Sequence, residues 1–249
     1  MKSNPRINRT VVAIITLLAL AIFQAPAGAT YIDFSQDQNG VALAAGTTIT
    51  SQYDDWFTLT VDSNGGYDTG MIFDSAHPTG EDPDLETPSW ANKGNAQNES
   101  LGNVLIISED GNSNDPDDEA RGGSILFDFS SSYGIDSFGF HVVDIDDSSA
   151  YTVDLYDGST WKNGLDLQGS NLEFGDNSIN KIDPYLASQQ GLSPFRQVRI
   201  NLGGSGAIDN VTFGAAPVPE PATMILFGSG LIGLAGIGRR QVRQAAVAA

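Results

Sequence analysis

Between residues 30 and 214, short apolar runs alternate with breaks rich in Gly, Asn, Asp and Ser, and inside several runs the apolar positions recur every second residue. Phe138, Phe140 and Val142 fall on one side of such a run, with His141 and Val143 on the other. Tyr151, Val153 and Leu155 alternate with Thr152, Asp154 and Tyr156, and Val198, Ile200 and Leu202 alternate with Arg199 and Asn201. Period two is the signature of a pleated strand with one covered face. The pattern predicts strands at 31–34, 47–52, 57–62, 70–74, 104–108, 124–129, 137–144, 151–156, 197–202 and 207–213. Only 181–192 reads as a helical turn or two, and Gly203 to Gly206 as a turn between strands. The predicted class is all-β: a two-sheet antiparallel β-sandwich, jelly-roll-like, with Phe57, Phe127 and Phe129 in its core.

The pattern changes at both ends. Lys2, Arg6 and Arg9 precede an apolar stretch over 11–23, and Ala27, Gly28 and Ala29 follow it. Basic, apolar and small-residue regions in that order form a secretory signal peptide, with cleavage expected after Ala29 and a mature chain from Thr30. At the other end, 222–237 carries no charged residue and is closed by Arg239, Arg240 and Arg243. Sixteen helical residues cover roughly 24 Å against a hydrocarbon core of about 30 Å. Gly238 and the snorkelling stems of Arg239 and Arg240 extend that reach. The competing reading is a buried C-terminal helix of a soluble domain. Glycines at 228, 230, 233, 236 and 238 argue against it, since each costs about 1 kcal/mol relative to Ala in a soluble helix and is tolerated in a membrane. The flanking arginines fit the cytoplasmic side of a span. The expected organisation is a signal peptide (1–29), an ectodomain (30–214), a linker (215–221), a transmembrane helix (222–238) and a basic cytoplasmic tail (239–249).

The tail resembles a known family. Val218, Pro219, Glu220 and Pro221, then a short glycine-rich apolar helix, then Arg239 and Arg240 at the extreme C-terminus, together resemble the PEP-CTERM protein-sorting tail. The resemblance implies a bacterial exported protein, held transiently in the inner membrane. A membrane-embedded exosortase would process it near the Pro-Glu-Pro and release it to the surface or the exopolysaccharide matrix. The resemblance says nothing of what the upstream domain does.

Charge is concentrated in that domain. Of twelve Lys and Arg, three precede the N-terminal apolar stretch and three follow the C-terminal one; of thirty-one Asp and Glu, only Glu220 lies outside the middle. The exported portion therefore has a formal charge of −24, which repels nucleic acid and anionic headgroups and attracts cations. There is no cysteine, so disulfides and thiolate metal sites are excluded.

The acids sit where strands end. Asp74 closes one predicted strand, with Asp82 and Asp84 in the loop beyond; Glu109 and Asp110 close the next, with Asp117 after them; Asp144 and Asp146 close a third. Carboxylates in loops beside Asn and backbone carbonyls suit calcium, which takes about six to eight oxygens. The segment from Asp110 to Asp115 fails as an EF-hand, because Asp115 stands where glycine is required and Arg121 where the bidentate Glu belongs. A calcium site assembled from several loops is the expectation, against a set of solvated acidic loops. Asp33 in the first strand and Asp209 in the last form a second candidate for a shared ion, against a turn-capping role for Asp209. The last strand, Ile208-Asp209-Asn210-Val211-Thr212-Phe213, resembles the ending of carbohydrate-binding jelly-roll modules.

No nucleophile elbow, zinc-protease helix or phosphate loop occurs. His77 reads as an exposed turn residue and His141 as a surface or partly covered strand residue. Trp90, in a polar loop, and Trp161, just past a turn, are the candidates for stacking on sugar rings. The expectation is a non-catalytic surface or matrix protein, structural or adhesive in exopolysaccharide or biofilm. A carbohydrate-binding module is the alternative, and a glycan hydrolase the more remote one.

Overall fold

A computed structural model describes residues 29–129, 134–146 and 150–215. The signal-peptide region, the linker, the apolar run 222–238 and the basic tail lie outside the described residues. Among the described residues no helix is long and apolar enough to cross a membrane.

Among the described residues, eleven strands form two antiparallel sheets. In order they are β1 (Ala29–Ile32), β2 (Thr58–Ser63), β3 (Gly70–Asp74), β4 (Asn103–Ile107), β5 (Gly123–Asp128), β6 (Ile135–Val143), β7 (Thr152–Tyr156), β8 (Trp161–Asp166), β9 (Ile179–Leu186), β10 (Gln197–Leu202) and β11 (Ala207–Ala215). A 3-10 turn, Pro83–Leu85, and the four-residue helix α1 (Ala187–Gln190) complete the described elements. The first sheet runs β3-β4-β11-β6-β9, with β1 also paired to β11; the second runs β2-β5-β10-β7-β8. β11 meets β4 at Ala207 and Ile208 and β1 from Val211 to Gly214, so those two strands share one of its edges. Only β3–β4 and β7–β8 are sheet neighbours in sequence, and each of the other connections between the described strands crosses from one sheet to the other.

The period-two positions face inward. Phe57, Ile125, Phe127, Phe138, Phe140, Val153, Leu155, Val198, Ile200 and Phe213 belong to one buried cluster between the sheets. Burial of this apolar area, at about 25 cal/mol per Å², is what holds a disulfide-free domain together. The first sheet also has an apolar outer face: Met71, Phe73, Val104, Ile106, Val143, Ile179 and Ala207 pack with Leu85 and Ala96. Leu85 and Ala96 come from the long β3–β4 connection, residues 75–102, so that loop lies across the outside of the sheet.

The structure departs from the sequence reading in three places. Residues 47–52 form no strand; they follow β3 through a single bridge at Thr48 and Met71, after which Gln52 bonds back to Thr48 O and the Thr50 amide and the chain turns away. The helical turn expected within 181–192 is present as α1, but 179–186, which was not read as a strand, forms β9. β8 lacks alternation because it is an exposed edge strand.

Candidate functional site

The loops at one end of the first sheet bring acids together from four separate connections, and a fifth adds a serine and a glycine. Asp82 and Asp84 flank Pro83 at the 3-10 turn; Asp117 and Asp118 lie between β4 and β5; Asp144 follows β6; Asp176 precedes β9; Ser205 and Gly206 join β10 to β11. One oxygen each of Asp84, Asp144 and Asp176 lie within 4.8 Å of one another. Asp144 is buried, Asp84 half-buried and Asp176 exposed, so the group opens from the interior to solvent.

Backbone geometry and neighbours hold these side chains. Asp144 has φ 58 and Asn177 φ 56, left-handed conformations that Asp and Asn tolerate better than other side chains. Asp144 Oδ1 accepts from the Asn177 amide at 2.8 Å. Asp118 Oδ2 accepts from Gly206 N at 2.6 Å, and Asp82 Oδ2 accepts from the Asp118 amide at 2.9 Å. Ser205 Oγ lies 3.2 Å from Asp118 Oδ1 and 3.1 Å from Asp144 Oδ2. A hydroxyl carries one proton, so it serves one carboxylate at a time, and the other contact calls for a carboxyl proton or a nearby cation. Asp84 Oδ1 is buried without a hydrogen-bond partner.

The electrostatics agree. Burial, reinforced by neighbouring carboxylates, pushes Asp117 and Asp144 up to about 7 from their ordinary 3.8. Asp118, Asp82 and Asp84 move the same way, again chiefly through burial. The charges of Glu109 and Asp146 contribute from the rim. Two arginine–carboxylate pairs lie elsewhere, Arg121 with Glu119 and Arg199 with Asp154. Carboxylates gathered from several loops around a common point are the donor set of a hard divalent cation.

The remaining acids named from the sequence divide. Asp74 turns to its own loop, accepting from the Ala76 amide and meeting His77 Nδ1 at 2.9 Å. Asp110 is exposed and accepts from the Asn112 amide at 2.7 Å. Asp33 lies just past β1 and accepts from the amide and hydroxyl of Ser35 at 3.1 and 2.7 Å. β1 does neighbour β11, but Asp209 caps no turn: it is fully buried on a strand, opposite His141 of β6. His141 is likewise buried, because loop 75–102 covers the face it points from.

Sequence reasoning missed Asp176, Ser205 and Asn177, and it chose Asp117 rather than its neighbour Asp118 as the candidate ligand. Asn177 is fully buried; its side-chain nitrogen donates to the carbonyls of Asp84 and Glu86 at 2.7 and 2.8 Å, and its side-chain oxygen accepts from the Trp90 amide at 2.6 Å. An Asn beside Asp176 in a Gly- and Asp-bearing loop was the available signal.

The two candidate tryptophans lie on opposite sides of the sandwich. Trp90 is half-exposed on loop 75–102, with Nε1 donating to Pro83 O at 2.9 Å. Trp161 begins β8 and stacks on Tyr156 at 4.9 Å, with the Arg199 guanidinium 5.0 Å from its ring centre. Arg199 also lines an open groove of about 590 Å³ on the outer face of the second sheet, with Thr60, Asp62, Ser124, Leu126 and Asn201.

Comparison with known proteins bears on the tail. Residues 217–241 match the PEP-CTERM protein-sorting motif. The chain carries a PEP-CTERM sorting tail. That tail marks it as an exported surface protein processed by exosortase, and Val218 to Pro221, Arg239 and Arg240 fall within the matched segment. No curated protein matches the chain. Among solved structures, the crystal structure of the Agl-KA catalytic domain is similar at 13% identity and a TM-score of 0.24, with 73% of this chain aligned. This chain spans about a third (31%) of that chain's length, and a likeness this slight carries no argument.

Proposed function

We propose that the exported domain is a non-catalytic, calcium-braced β-sandwich serving as a structural or adhesive component of the cell surface or the exopolysaccharide matrix. The observation that supports this most is the convergence of Asp84, Asp144 and Asp176 from three separate connections. A cation there joins loop 75–102 to the connections after β6 and before β9, doing for a cysteine-free domain what a cross-link does for others. Calcium at millimolar level is available outside the cell, the range extracellular modules of about 10⁻⁴–10⁻³ M affinity use. Limited proteolysis tests the reading. With calcium, loop 75–102 resists cleavage; with EDTA it is cut first. Equal cleavage in both conditions removes calcium from the account.

A second reading, glycan binding, is favoured by the outer face of the second sheet. Thr60, Leu126, Arg199 and Asp154 form one cross-strand row there, and Asp62, Ser124, Asn201 and Thr152 the next. Such a row offers planar hydrogen-bonding groups beside the stacked pair Tyr156 and Trp161. A glycan array with the full-length protein, repeated with Trp161→Ala, separates the readings. Binding lost in the variant favours the module, and silence across neutral and acidic polysaccharides removes it.

A further inference from the structure

A different pair of buried groups stands apart from the acidic loops. Asp209 and His141 are directly opposed on β11 and β6. Both point to the outer face of the first sheet, next to the opposed pair Ala207 and Val143 that belongs to the outer apolar cluster. Asp209 is 0% exposed and His141 6%. Neither Asp209 oxygen makes a well-formed hydrogen bond, and neither does either ring nitrogen of His141. His141 Nε2 lies 3.2 Å from Glu99 Oε2, whose side chain is half-exposed on the covering loop 75–102.

Buried polar atoms are almost always satisfied, and leaving one unmade costs about 1–3 kcal/mol, so both Asp209 oxygens and His141 Nδ1 left without partners at one spot require an explanation. A mutual ion pair is not what the surroundings favour. Burial and the nearby charges of Asp33 and Glu99 raise Asp209, while burial lowers His141, so each is pushed toward its neutral form. A bound cation reverses both penalties. It takes the carboxylate as an anion and the imidazole as a neutral donor.

We infer that Asp209, His141 and Glu99 form a site for a divalent cation of borderline softness, of the zinc class, which straps loop 75–102 onto the first sheet. The donor set decides the class. One imidazole and two carboxylates suit zinc and its first-row neighbours, whereas calcium takes oxygen alone. The register sets the Cβ atoms of the two strand residues about 4.5–5.5 Å apart, within the span of ligands on one ion. Glu99, half-exposed on loop 75–102, supplies the third arm from the solvent side. The site is independent of the acidic cluster, and its failure leaves the calcium reading untouched.

The test uses the full-length chain, stripped with a chelator, returned to millimolar calcium and titrated with zinc chloride. One equivalent of zinc is expected to be held, with an X-ray absorption spectrum showing one imidazole among nitrogen and oxygen ligands. Removing even an outer-shell partner typically costs about 10–100-fold in metal affinity, so Glu99→Gln, which alters a half-exposed side chain, should weaken binding by about tenfold or more. His141→Ala and Asp209→Asn should abolish it, and His77→Ala should leave it unchanged. The unaltered chain also gives a readout that needs no variant to fold. No stoichiometric zinc uptake, a spectrum without imidazole, or undiminished binding by Glu99→Gln overturns the assignment.

Discussion

Asn177 Nδ2 donates to the carbonyl oxygen of Asp84 across 2.7 Å, joining residues 93 apart in the chain. The same amide group serves Glu86 and Trp90, and the Ser89 hydroxyl donates to the Asn177 carbonyl at 2.6 Å. One buried side chain thus fixes the part of loop 75–102 that carries Asp84 beside the loop that carries Asp176. The candidate site exists because that seam is closed.

Replacing Asn177 by Ala removes the partner of two carbonyls and two amides in a part-buried seam, at up to about 1–3 kcal/mol for each group left unsatisfied. Part of that is recovered by water entering from the exposed side near Asp176. A net loss of about 3 kcal/mol is expected in urea unfolding, together with faster proteolysis of loop 75–102. A loss under about 0.5 kcal/mol, the range of ordinary surface changes, would show that the seam is held by something else.

The pH dependence follows from the raised carboxyls. Asp117 and Asp144 hold protons in the folded chain up to about 7, whereas in the unfolded chain they release them near 3.8. Between those values the folded state binds more protons, so stability falls as pH rises from about 4 to about 7 and levels off above. Mutual repulsion in so acidic a domain acts in the same direction. Asp157 and Glu119, held below their ordinary values by hydrogen bonds from Ser159 and Arg121, act oppositely and lose their contribution in stronger acid. The calcium-free protein should therefore melt highest near pH 4–5, and the gain from added calcium should be larger at pH 8 than at pH 5. Thermal melts at the two pH values, with calcium and with EDTA, check both statements. A calcium-free optimum at pH 8 contradicts them.

The sandwich was legible where one face of a strand is apolar and the other polar. β10 matches its predicted bounds because burial on one side alone leaves a period-two trace, whereas β3, covered on both faces, was legible as a short continuous apolar run; most others match within two residues. β9 left no such trace. Its Pro184 and charged Lys181 and Asp183 fit only an edge strand, where a missing amide faces outward. The covered outer face of the first sheet was also invisible: that His141 is interior depends on loop 75–102, and a loop's path is not written in alternation. The acids were legible as a class, but which of them meet depended on Asn177, Ser205 and the left-handed turns at Asp144 and Asn177. Asp74 and Asp110 carry the same composition signal and turn instead to their own loops.

The sorting tail makes a prediction about processing. Protein recovered from the cell surface should lack the segment beyond the Pro-Glu-Pro at 219–221, as read by the mass of its C-terminal peptide. A chain cut short at residue 216 should be exported without reaching that processed surface form. An intact polypeptide with its N-terminal segment, dissolved in cytosol, is the contrary result.

Calcium titration by calorimetry at pH 7.5 reaches the proposed role of the domain most directly. The full-length chain should bind calcium with an affinity near 10⁻⁴ M, worth about 1.4 kcal/mol of stability at 1 mM. Asp144→Asn, which removes the buried ligand while keeping its shape, should abolish the heat of binding. No saturable heat in the folded, unaltered chain, or an undiminished isotherm for Asp144→Asn, would contradict a calcium-braced sandwich.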